Sequence, residues 1–142
     1  MESDGLKLPK KIPTSIITGF LGSGKTTILN EIINYKEFKN TLLIINEFGK
    51  ISIDHHLIKK KSDDKIVLNN GCLCCSFSGD LVKTLDDSLK LKKKFDRIII
   101  ETSGLADPVP IVQTIVSDQI ISEKIKFKSL ITVVDTVNFQ ND

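Results

Sequence analysis

The sequence predicts an α/β domain with a mostly parallel sheet and helices on both of its faces. Two observations carry that expectation. Short runs rich in Ile and Val recur along the chain without alternating polar and apolar residues, the pattern of strands buried on both faces. Between them lie segments whose apolar residues recur at helical spacing, so strand and helix alternate. That order implies right-handed crossovers and ligands bound at the carboxyl ends of the strands.

Residues 1–12 are expected to form a flexible N-terminal extension, and the first strand to lie over Ile12 to Ile17. A helix then begins near Lys25, because Ile28, Leu29, Ile32 and Ile33 fall on one stripe. Thr41 to Ile45 is the second buried run. Ile66 to Leu68 and Cys72 to Cys74 flank Asn70-Gly71, a pair suited to the turn of a small hairpin. Leu81, Val82, Leu85 and Leu89 stripe a second helix, with Ser78 as its cap and Asp80 in its first turn. Arg97 to Ile100 is the next strand. Pro110 suits the first turn of a third helix carrying Ile111, Val112, Ile115, Val116 and Ile120, and Leu130 to Val134 closes the series. The lysine runs Lys59 to Lys61 and Lys92 to Lys94 fit solvated loop or helix surface.

Composition narrows the function classes. With 142 residues, 40% hydrophobic and 27% charged, the chain suits one folded domain with a core of its own. Its 20 basic and 18 acidic side chains give a net charge of +2, no broad electrostatic reason to expect nucleic acid or an anionic membrane as partner. No apolar run approaches the ~20 residues of a membrane span. Residues 1–11 lack the apolar core of a secretion signal. All 3 Cys lie within Cys72 to Cys75, too few and too close for a disulfide framework, so a cytoplasmic metal or redox site is the expectation.

Two passages carry chemistry. Gly19-Phe20-Leu21-Gly22-Ser23-Gly24-Lys25-Thr26 matches the phosphate-loop pattern and sits between the first strand and the first helix, where its mechanism requires it. Glycines 19, 22 and 24 let backbone amides approach an anion, and the helix N-terminus adds a favourable dipole. Lys25 is suited to neutralise phosphate charge, and the Thr26 hydroxyl to bind Mg²⁺. The fold expected is therefore phosphate-loop NTPase-like. Ile98-Ile99-Ile100 delivers Glu101 to a strand's carboxyl end, followed by Thr102-Ser103-Gly104. If that strand neighbours the first, Glu101 is placed to hold Mg²⁺ through water and the Gly104 amide to meet a γ-phosphate.

The second passage is Gly71-Cys72-Leu73-Cys74-Cys75. In an extended arm Cys72 and Cys74 project to one face, and Cys75 joins them if the strand gives way to a turn there. Three thiolates suit Zn²⁺ or another soft or borderline metal, and the lack of a fourth cysteine favours an exchangeable site over a structural one. Glu47, His55 and His56 are candidates for the fourth position, Glu47 because it follows a buried strand toward the catalytic edge. Inert buried thiols and a vicinal redox pair are the alternatives.

Taken in order, Gly19 to Thr27, Asn46-Glu47-Phe48-Gly49 with Ile53-Asp54, Gly71 to Cys75, and Glu101-Thr102-Ser103-Gly104-Leu105-Ala106-Asp107-Pro108 resemble the CobW-type GTPases, from about Pro13 to Asp135. The resemblance implies a GTPase coupling GTP hydrolysis to delivery of a metal, commonly Zn²⁺, to a client protein, a methionine aminopeptidase for eukaryotic members. It implies that Gly22, Ser23, Gly24, Lys25, Thr26 and Thr27 bind phosphate, with Thr26 on Mg²⁺. It places Glu47 and Asp54 in the first switch, where either orients the attacking water, Glu101 and Gly104 in the second, and Cys72, Cys74 and Cys75 in the metal site.

That family reads guanine through an Asn-Lys-x-Asp element, which does not occur here. Residues 13–142 are thus expected as a partial GTPase domain, truncated before the guanine-specificity strand and without the family's C-terminal domain. The last strand should then expose backbone and apolar side chains over Ser129 to Asp135, a self-association liability. A non-catalytic metal-binding fragment and a phosphate-loop small-molecule kinase are the other readings.

Overall fold

The computed structural model describes residues 10–46, 58–62, 65–68, 73–77 and 80–137. Its strands are β1 (Ile12–Gly19), β2 (Thr41–Ile45), β3 (Ile58–Ser62), β4 (Lys65–Leu68), β5 (Leu73–Ser76), β6 (Arg97–Glu101) and β7 (Ile125–Val133). Its α-helices are α1 (Lys25–Ile32), α2 (Leu81–Leu89), α3 (Val109–Ser117) and α4 (Gln119–Lys124). They build one seven-stranded sheet in the order β3-β4-β5-β2-β6-β1-β7. The pairs β5–β2, β2–β6, β6–β1 and β1–β7 are parallel, and β4 runs antiparallel to both neighbours.

At its centre, in β2 and β6, the sheet is buried on both sides, as the unbroken apolar runs require. On one face Ile17, Leu43, Ile45, Cys74 and Ile99 pack against Leu29 and Ile33 from α1 and the residue that caps it. On the other, Ile16, Leu42, Ile44, Cys75, Ile98 and Ile100 pack against Leu81 and Leu85 of α2, Ile111 and Ile115 of α3 and Ile121 of α4. The chain leaves β1 through α1 toward β2, on one side of β6, and leaves β6 through α3 and α4 toward β7, on the far side of β1. Right-handed crossovers running in opposite directions put their helices on opposite faces, so a crevice opens at the carboxyl ends of β1 and β6.

Four sequence expectations are corrected. Asp80, not Ser78, caps α2: its side chain accepts a hydrogen bond from the Lys83 amide at 3.0 Å. Ile120 is not part of α3, because the chain breaks at Asp118, whose carboxylate caps a separate α4 by accepting from the Ile121 amide at 2.9 Å. Lys59 to Lys61 lie in edge strand β3, where lysines discourage unwanted pairing. β7 begins at Ile125, five residues before the apolar run. Its first half alternates, with Lys126 and Lys128 exposed and Phe127 half-buried, as an edge strand does.

Candidate functional site

The crevice is the phosphate loop. Gly19, Gly22 and Gly24 have φ of 146°, 78° and 96°, and every residue with positive φ among those described is a glycine. Gly24 also occupies the cap position of α1 with no side-chain cap bond, which leaves the first helical amides turned toward the crevice for a ligand. The Ser23 amide donates to the Phe20 carbonyl at 3.1 Å, tightening the loop. Lys25 is buried, and its Nζ donates to the carbonyls of Gly19 at 2.7 Å and Phe20 at 2.9 Å. The ammonium thus ties the ends of the loop together from inside.

β6 lies beside β1 with Ile17 opposite Glu101, so the strand does deliver its carboxylate to the loop. Glu101 is 5% exposed, and its Oε1 accepts a hydrogen bond from the Thr26 hydroxyl at 3.2 Å. A cavity of about 470 Å³ lies between loop and strand end, lined by Gly22, Gly24, Lys25, Thr26, Thr27, Glu101 and Gly104 among others. It therefore combines backbone donors, one ammonium, the hydroxyl residues Thr26, Thr27, Thr102 and Ser103, and one carboxylate, a set that suits a phosphate anion together with a hard cation.

Two contacts fasten the segment after β6 to this site. Buried Thr102 donates through Oγ1 to the Thr18 hydroxyl at 2.9 Å, and its amide donates to the Ile17 carbonyl at 2.9 Å, fastening the segment after β6 to the entry of the loop. The only sequence signal was a polar residue at the end of each of two buried strands. The second is at Gly104, expected from the sequence as a phosphate contact: a Cβ there would lie 2.5 Å from the Leu21 amide nitrogen and 2.7 Å from its Cα, a close approach that the sequence does not signal. The segment after β6 thus rests on the loop backbone itself.

The cysteines are arranged differently from expectation. β5 stays extended through Ser76, so no turn brings Cys75 back toward Cys74. Cys74 joins the α1-side core and Cys75 the opposite one, at 0% and 1% exposure. The Cys75 Sγ lies 3.7 Å from the Ser88 hydroxyl of α2. β5 is also three strands from β1, roughly 14 Å at the usual strand spacing. Among the described residues no three His, Cys, Asp or Glu side chains form a metal-binding group. Glu47, Asp54, His55, His56 and Cys72 lie outside the described residues.

A parallel-sheet α/β domain with a lysine-closed phosphate loop and an acidic residue on the neighbouring strand is a phosphate-loop nucleotide-binding domain. The family profile for the CobW/HypB/UreG nucleotide-binding domain matches residues 13–142. The chain belongs to that family. It is 40% identical over 131 residues to the zinc chaperone YjiA of Escherichia coli K12, a match covering 89% of this chain and 41% of that protein. It is 33% identical over 136 residues to the zinc-regulated GTPase metalloprotein activator 1 of Schizosaccharomyces pombe, covering 92% of this chain and 33% of the relative. A Zn(II)-bound triple mutant of the YjiA GTPase superposes with a TM-score of 0.70 at 37% identity, over 93% of this chain and 43% of that one. The chain thus spans less than half the length of these relatives.

Proposed function

We propose that this chain is the nucleotide-binding part of a cytoplasmic GTPase that couples GTP hydrolysis to the transfer of Zn²⁺ to a client protein. The observation that carries the nucleotide half is the Thr26–Glu101 contact of 3.2 Å at the mouth of a loop closed by Lys25. The zinc and GTP halves rest on the relatives, which are named zinc chaperones and zinc-regulated GTPases. No described helix is long and apolar enough to cross a membrane. The reducing cytoplasm keeps thiols available for a soft or borderline metal.

In this mechanism the loop amides and the N-terminus of α1 hold the β-phosphate, with Ser23 and Thr27 beside it, and Lys25 spans the β- and γ-phosphates. Thr26 and Glu101 offer hard oxygens and fit Mg²⁺, Glu101 through a water; when bound, the ion neutralises charge on the phosphates. The first switch supplies the residue that orients the attacking water, Glu47 or Asp54. Chemistry then consists of positioning and charge stabilisation. Cys72, Cys74, Cys75 and Glu47 are the zinc candidates of this reading, with a metal-dependent enzyme such as a methionine aminopeptidase as client.

Three backbone hydrogen bonds give the two sites a shared frame. The Thr102 amide donates to Ile17, the Asn46 amide to Glu101 and the Phe77 amide to Ile45, at 2.9, 2.9 and 3.0 Å. They join the carboxyl ends of β1, β6, β2 and β5, so a shift at Glu101 to Gly104 on γ-phosphate loss is felt at the cysteine strand. Coupling of this kind is a property of two states, and it is tested by whether nucleotide changes zinc affinity. The experiment is GTP and ATP turnover by the chain with Mg²⁺, alongside zinc titration with and without nucleotide. Nucleotide turnover with zinc affinity differing between the GTP and GDP states supports the reading. Absence of saturable nucleotide binding rejects it in favour of a metal-binding fragment, and phosphoryl transfer to a metabolite without zinc dependence favours a kinase.

Gly104→Ala probes the catalytic half. The new methyl meets backbone atoms of Phe20 and Leu21, which cannot rotate aside, so Ser103 to Leu105 must lift from the loop. Triphosphate affinity should change little, since Lys25 and the loop are untouched. The single-turnover hydrolysis rate should fall by about tenfold or more, because displacements near 1 Å have such effects on reacting groups.

We also propose that β7 mediates self-association. Among the described residues it pairs only with β1, and Leu130 and Ile131 are 43% and 47% exposed on its outer half. Ile131→Lys extends the lysine protection already present at Lys126 and Lys128. Sedimentation velocity at micromolar concentration should show the wild type assembling and this variant less so; a monodisperse wild-type monomer rejects the idea.

A further inference from the structure

The two strands that flank the crevice carry matched residues on the face covered by α2, α3 and α4. Ile16 of β1 stands opposite Ile100 of β6, and both are fully buried in that core. Side chains two residues on share a face, so the next pair in this column is Thr18 and Thr102. Thr102 is 1% exposed, and its Oγ1 donates to the Thr18 Oγ1 at 2.9 Å. Valine has nearly the same shape and brings no polar group to satisfy. Packing alone therefore does not account for a hydroxyl pair at this position.

The pair joins two parts of the site that come from distant sequence. One residue before it, Glu101 stands opposite Ile17, which belongs to the α1-side core, and its Oε1 meets the Thr26 hydroxyl at 3.2 Å. The end of β6 is thus held from both faces of the sheet, by Glu101 on the α1 side and by Thr102 on the other. The Thr102 amide bond to the Ile17 carbonyl, at 2.9 Å, fixes the strands at Ile17. The hydroxyl bond fixes them one residue nearer the phosphate loop, at Thr18, which directly precedes Gly19. Beyond Thr102 the backbone leaves the sheet: the Ala106 amide donates to the Ser103 carbonyl at 3.0 Å, and Gly104 lies against the Leu21 backbone.

That place gives the hydroxyl influence over one half of the chemistry. Phosphate binding is local to the loop, because its amides, Lys25 and the N-terminus of α1 come from contiguous chain. In the proposed mechanism the groups that act at the γ-phosphate arrive from the other strand. Their distance from the loop depends on how the end of β6 meets β1. A nucleoside diphosphate has no γ-phosphate for them to act on.

We infer that Thr102 is a positioning residue for hydrolysis: its hydroxyl, held by Thr18, sets the distance between the phosphate loop and the segment carrying Glu101 and Gly104. This rests on the nucleotide-hydrolysing function proposed above. It gives Thr18 and Thr102 one shared task, performed on the protein's own strands rather than on the nucleotide.

The test is single-turnover GTP hydrolysis with Mg²⁺, beside GDP affinity and thermal melts, for the wild type, Thr102→Val, Thr102→Ser, Thr18→Val and the double valine variant. Thr102→Val should slow hydrolysis by about ten- to a hundredfold, the scale of a misplacement near 1 Å. Its GDP affinity should stay within about twofold of the wild type, because uniform binding is untouched. Thr102→Ser keeps the donor and should hydrolyse within about threefold of the wild type. Thr18→Val removes the acceptor and leaves the Thr102 hydroxyl only the Ile17 carbonyl at 3.5 Å, so hydrolysis should slow to a similar degree. The double variant should be no slower than either single one, since the same interaction is removed once. Thr18 is only half-buried, so Thr18→Val carries the test if Thr102→Val fails to fold. Wild-type hydrolysis in the folded valine variants, rates that multiply in the double variant, or an equal loss of GDP affinity makes Thr102 a core hydroxyl. Each overturns the inference while leaving the nucleotide-hydrolysing function standing. A wild type that does not hydrolyse GTP overturns both.

Discussion

Replacing Lys25 with alanine is expected to weaken nucleoside triphosphate binding by about a hundredfold or more and to stop hydrolysis at working concentrations. Two losses combine. The ammonium is the cation inside the loop, donating to the carbonyls of Gly19 and Phe20 at 2.7 and 2.9 Å. Each charge-assisted hydrogen bond contributes roughly 1.5–3 kcal/mol, so its removal loosens the loop before any ligand arrives. In the proposed mechanism the same charge meets the β- and γ-phosphates, and its loss leaves their repulsion to the helix terminus and a bound Mg²⁺. Folding should survive, because α1 is anchored by Leu29 and Ile33 rather than by this side chain. Isothermal titration with GTP and Mg²⁺, together with phosphate release, measures the effect. Unchanged turnover in Lys25→Ala would remove this pocket from the chemistry.

Lys25 was legible in the sequence because its chemistry depends on spacing along the chain. A phosphate loop is local: the glycines, the lysine and the hydroxyl are contiguous, and one strand and one helix suffice to present them. Glu101 was legible for a related reason, since a run of three isoleucines leaves little doubt about where a carboxylate emerges. The contacts that depend on neighbours from distant sequence were not. Nothing in Gly104 announces Leu21 as the backbone it rests on, and nothing in Thr102 announces Thr18.

The cysteine passage is the converse case. Its spacing was visible, yet a turn after Cys74 and a strand through Ser76 are equally compatible with the residues, and only pairing with β2 and β4 decides between them. The fold errors have the same origin. Ile120 has the right spacing for α3, but Asp118 accepts from the Ile121 amide and starts a new helix. The sequence marks β7 only where it is uniformly apolar, because Lys126 and Lys128 make its first half unlike a strand buried on both faces.

Gly19→Ala should be the most destabilising single change in the loop, and Gly22→Ala is its internal control. Both positions have positive φ, so alanine is strained at either. At Gly22 a Cβ meets nothing within 4 Å, and strain is the whole effect, about 1–2 kcal/mol. At Gly19 φ is 146°, a region nearly restricted to glycine, and a Cβ would lie 2.4 Å from the Val133 carbonyl oxygen. That oxygen belongs to β7, paired with β1 at this position, so the methyl can be accommodated only by parting two strands of the sheet. Strain and lost pairing together should exceed ~3 kcal/mol, lowering the melting temperature by roughly 10 °C, against a few degrees for Gly22→Ala. Thermal unfolding followed by circular dichroism distinguishes them. Equal shifts for the two variants would mean that β7 does not hold the loop's entry, and that the phosphate site depends on β1 and β6 alone.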